Sequence, residues 1–89
     1  MNTDSTIKRS LDLKRTALAV FRASCADDDA GAAALLAGIA PADEPAVGHA
    51  INEVAAGALS LPAGITLDAF LDAYGLAIDR TERKLTGRG

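Results

Sequence analysis

Apolar residues recur along this chain at helical spacing. Over about residues 6–26, Ile7, Leu11, Leu18, Phe21 and Cys25 follow one another at intervals of 4, 7, 3 and 4, and Leu13, Ala17 and Val20 widen the same stripe. Such intervals return side chains to one face of a 3.6-residue helix. Lys14 falls inside the stripe. Its stem can lie on apolar surface while its ammonium snorkels to the edge.

The next segment, about residues 30–40, is apolar on every side: Ala32, Ala33, Ala34, Leu35, Leu36, Ala37 and Ile39 leave no polar face, and Pro41 stops the run. A helix of that kind is expected to be buried all round. In 89 residues that is hard to arrange without a second copy or a partner. Asp27, Asp28 and Asp29 stand before it, where one is expected as an N-cap and a neighbour gains from the helix dipole.

Asp43-Glu44-Pro45 reads as a helix start, with cap, acid and first-turn proline. The third helix, about 44–60, carries Val47, Ala50, Ile51, Val54, Ala58 and Leu61 on one face, and Pro62-Ala63-Gly64 breaks it. Thr66 caps a fourth, about 66–86, with Leu67, Phe70, Leu71, Tyr74, Ala77, Ile78, Thr81 and Leu85 on one face and Gly87 after its end. There is no internal repeat and no dividing linker. The pattern predicts one all-α domain over residues 1–89, a small antiparallel four-helix bundle or compact four-helix array. Alternating helices would put both termini at one end.

Composition adds two points. Of 44 apolar residues 20 are Ala and 11 Leu, with no Trp, which excludes a β protein and a disordered chain. Large side chains are few, yet mean hydropathy is +0.17. A chain this small commonly gains burial by oligomerising, and a two-fold homodimer is the expected form. Ala33, Leu36 and Ile39 are the expected contact residues. The lone Cys25 excludes an internal disulfide, the N-terminal segment is polar, and the longest apolar run is 11 residues. A cytoplasmic protein with no membrane span is expected.

Net charge is −3, but its distribution is uneven. Residues 25–79 hold nine acids and no Lys or Arg, while both ends are basic. Lys8, Arg15 and Arg22 form a row on the first helix, and Asp68, Asp72, Asp79 and Glu82 form one on the fourth. Antiparallel packing would set Lys8 near Glu82, Arg15 near Asp72 or Asp79, and Arg22 near Asp68. The rows then read as flanks of a helix–helix seam. The competing reading is an acidic strip that mimics nucleic acid or a basic strip that binds it.

Candidate chemistry is thin. The three aspartates lack the alternating ligands, turn Gly and distant Glu of a calcium loop. His49 and Glu53 sit four apart, but a zinc site needs three or four ligands. Cys25 lies on the apolar stripe with acids after it, which reads as a buried structural thiol. No serine has a nucleophile-elbow context, and no glycine-rich phosphate loop exists. No catalytic residue, cofactor or metal is therefore expected. The expected function is a non-enzymatic helical protein–protein interaction module, a small regulatory or inhibitory accessory protein of a bacterium or its phage. The alternative is a nucleic-acid-associated transcriptional regulator using the basic N- and C-terminal segments.

Overall fold

The structure, a computed structural model, describes residues 3–86. It is an all-α array of four helices: α1 (Thr3–Cys25), α2 (Asp29–Ala37), α3 (Glu44–Leu59) and α4 (Leu67–Thr86), with a single 3-10 turn at Pro41–Asp43 before α3. No strand occurs among the described residues. Gly87 and the basic Arg88 lie outside them.

α1 is the hub. Leu11, Ala17, Leu18 and Val20 are all buried. Ala17 packs with Val47 and Ala50 of α3, with Leu13, Ile39 and Ile51 around them. Leu18 meets Val54 of α3 and Leu71 of α4, surrounded by Phe21, Leu67, Phe70 and Tyr74. These pairings run upward together on α1 and α3, and in opposite directions on α1 and α4. α2 turns back along α1, with Ala34, Leu35, Gly38 and Ile39 beside Leu13 and Thr16. The course is up, down, up, down, as the short connections require.

Local chemistry explains the corners. At the end of α1 the Asp27 N–H donates to the Ser24 carbonyl at 3.2 Å and the Asp28 N–H to the Ala23 carbonyl at 2.9 Å. This pairing ends a helix with one left-handed residue, here Asp27 at φ 57° where glycine is usual. Asp28 then caps α2, its Oδ1 accepting from the Gly31 N–H at 2.9 Å. Thr66 caps α4, its Oγ1 accepting from the Ala69 N–H at 3.1 Å. Between α3 and α4 the Phe70 ring lies so near Gly57 that a Cβ there would stand 2.6 Å from Cζ.

Four expectations are corrected. α2 ends at Ala37 rather than near residue 40, because Gly38 is a poor helix residue and Ala40, preceding a proline, is extended at φ −64°, ψ 142°. Asp43 makes no capping hydrogen bond, since Arg9 holds its carboxylate. α2 is not buried all round: only Ala32 is. Cys25 is exposed, because it is the last residue of α1 and opens onto a cleft with Ala26, Leu67 and Asp68 instead of the core.

The body measures 39 × 31 × 17 Å, little more than one helix and a half thick. Its accessible surface is 5915 Å². A compact monomer of 9.1 kDa should expose about 4900 Å². The chain exceeds that by about 1000 Å².

Candidate interaction surfaces

The first surface is the α1–α4 seam. Arg15 sits at its middle. Its Nη1 donates to Glu82 Oε2 at 2.9 Å and its Nη2 to Glu82 Oε1 at 3.2 Å, a two-pronged pair. Nη2 also donates to Asp79 at 2.9 Å and Nη1 to Asp12 at 3.1 Å. These bonds raise the Arg15 pKa above its ordinary value, Glu82 first and Asp79 next. Glu82 is lowered in turn, chiefly by the hydrogen bond from Arg15, with a smaller contribution from the charge of Lys8. One turn and more along, Arg22 Nη2 donates to Asp72 at 2.7 Å.

The two rows therefore do flank one seam. Arg15 meets Asp79 as the spacing predicted and adds Glu82. Arg22 reaches Asp72 rather than Asp68, one turn further along α4. Asp68 stays exposed in the cleft shared with Arg22 and Cys25. The sequence reading missed a third tie. Arg9 Nη2 donates to both Asp43 oxygens at 2.7 Å, fastening α1 to the start of α3. Thirty-four residues separate that pair, so no periodic signal could reveal it.

The second surface is α2. Between Asp29 and Asp43 no residue carries charge. Ala32 points inward, and at 100° per residue Ala30, Ala33 and Ala37 point away from the core. Leu35 and Leu36 stand on the two flanks, 37% and 46% exposed. Of the three expected contact residues, Ala33 and Leu36 are exposed, whereas Ile39 is half-buried and packs against Ala17, Val47 and Ala50 of its own chain.

The remaining candidates are spread over the body. His49 and Glu53 face solvent on α3, His49 Nε2 lying 2.9 Å from Glu53 Oε1. No group of three or more His, Cys, Asp or Glu side chains arranged to hold a metal occurs among the described residues. None of the described helices is long and apolar enough to cross a membrane. One shallow groove, about 260 Å³, lies between α1, α3 and α4 and is lined by Leu11, Lys14, Glu53, Tyr74, Ala77, Ile78 and Thr81. Burial, and then the carboxylate of Glu53, raise the Tyr74 pKa. Compared with known protein families, curated proteins and solved structures, the chain matches none.

Proposed function

We propose that this protein is a non-enzymatic helical interaction module, a small regulatory or inhibitory accessory protein that docks through α2 and pairs with a second copy of itself. The observation that carries the reading is α2, which is uncharged after Asp29 and mostly exposed, with only Ala32 buried. An apolar helix left facing water costs solubility unless something covers it. The alanines on its outer side would let a facing helix approach closely.

The nucleic-acid alternative has less in its favour. Arg9, Arg15 and Arg22 are each engaged by carboxylates of the same chain. A duplex would have to compete with those pairs for every one of them.

Sedimentation equilibrium at micromolar concentration should report about twice the chain mass, and Leu36→Asp should return it to one chain with an unchanged helical spectrum. A wild-type chain that remains monomeric, and whose properties Leu36→Asp does not alter, would sink the reading.

A further inference from the structure

Lys14 breaks the apolar stripe of α1, and the structure shows what it breaks it for. Lys14 lines the groove between α1, α3 and α4. Arg9, Arg15 and Arg22 on the same helix all hold carboxylates. Half-buried Lys14 has no carboxylate within 4.0 Å among the described residues. Glu53 of α3 lines the same groove, its Oε1 by His49 while Oε2 has no salt-bridge partner among the described residues. The Tyr74 hydroxyl also lacks a hydrogen-bond partner among the described residues, and a neutral phenol can donate at pH 7. Thr81 is already committed, donating to the Ala77 carbonyl at 2.9 Å. The floor is Leu11, Ala77 and Ile78.

We propose that this groove binds an apolar α-amino acid in its zwitterionic form, its carboxylate on Lys14 and Tyr74, its ammonium on Glu53, and its side chain on Leu11 and Ile78. Charge decides the class. A simple anion attracted by Lys14 would meet Glu53, and a simple cation attracted by Glu53 would meet Lys14. A ligand carrying both charges satisfies both walls. The groove is open, so affinity belongs in the millimolar range.

The test is a titration of the whole chain with L-leucine, followed by amide chemical shifts. Saturable shifts are expected around Lys14, Glu53, Tyr74 and Ile78. Leucinamide, which lacks the carboxylate, and 4-methylpentanoate, which lacks the ammonium, should each bind at least about tenfold more weakly. Lys14→Met keeps an apolar stem and should weaken leucine about tenfold, while Asp68→Asn at the start of α4, outside the groove, should not. Should Lys14→Met perturb the fold, Glu53→Gln serves in its place with the same expected loss. The idea is overturned by the absence of saturable shifts up to ~50 mM leucine, by equal binding of 4-methylpentanoate, or by indifference to the folded groove variants. The groove does not include α2, so Leu36→Asp should abolish self-association and leave the leucine titration intact. Failure of one reading is thereby told apart from failure of the other.

Discussion

α2 and α4 pack against the same central helix in opposite ways. α4 offers α1 a narrow apolar edge, Leu71 and Ile78, with acids on its flank that close on Arg15 and Arg22. Its outer side is mixed, with Leu76 51% exposed among charged residues. α2 buries only Ala32, sets Ala34 and Leu35 beside Leu13 and Thr16 of α1, and leaves Leu36 and most of its alanines in water. Exposed ion pairs add about 0–1 kcal/mol each, so the seam's charges set register more than they stabilise. What differs is charge: α4 is tied to α1 by ion pairs as well as by apolar contacts, whereas α2 carries no charge after Asp29.

The sharpest way to break this contrast uses two leucines. Leu71 is 2% exposed and Leu36 is 46% exposed. Leu71→Ala should cost about 2–5 kcal/mol in urea unfolding at low protein concentration. Leu36→Ala measured alongside it should cost well under about 1 kcal/mol, because little is buried there within one chain. Equal losses would mean that α2 is a core element after all.

A smaller effect comes from two glycines of α3. Gly48 has nothing within 4 Å of an added Cβ, so Gly48→Ala should stabilise by about 0.5–1 kcal/mol through helix propensity. At Gly57 the same gain is opposed by the Phe70 ring, which must leave its place against α3. Overpacking of that kind costs about 1–3 kcal/mol, so the net sign should reverse to a loss of roughly 1 kcal/mol. Thermal unfolding of the two variants decides it. Gain at both positions would show that α4 can slide off α3 freely.

Weaker still is the coupling across the seam. A double-mutant cycle with Arg15→Ala and Asp79→Ala should give an interaction below about 1 kcal/mol, given that both side chains are at least a third exposed. No coupling at all would mean that the α1–α4 register is set by Leu18 and Leu71 alone.

Helix number, the antiparallel course of α1 and α4 and the seam between them were legible in the sequence, because each rests on a repeat of three or four residues. Arg15 meeting Asp79 is such a case. The one-turn shift of Arg22 to Asp72 was not, since spacing gives the rows and not their offset. The fate of α2 was half legible. Its lack of a polar face was plain, but composition could not say which side Ala32 would take, nor that Ile39, after the helix ends, turns inward. Lys14 shows the opposite limit: its place in the stripe was plain, and the groove beside it needs Glu53 and Tyr74 from two other helices.

The last effect is graded by pH and is confined to the seam. Glu82 is held below its ordinary value of about 4.3 by the hydrogen bond from Arg15 first, and then by the charges of Arg15 and Lys8. A carboxylate whose folded pKa is depressed binds fewer protons folded than unfolded in that window. Its contribution to stability is therefore complete above the unfolded value and is lost as pH falls through the lower, folded one. Urea midpoints measured between pH 6 and pH 3 should decline, and Glu82→Gln should reduce the slope of that decline. The same variant should leave the α2 association measured at pH 7 unchanged, because the seam and α2 are separate elements on α1. An unaltered slope would show that Glu82 is as free in the folded chain as in the unfolded one. A slope that vanishes together with self-association would show instead that the two faces of α1 are coupled, and that the contrast between the ion-paired α4 and α2 is wrongly drawn.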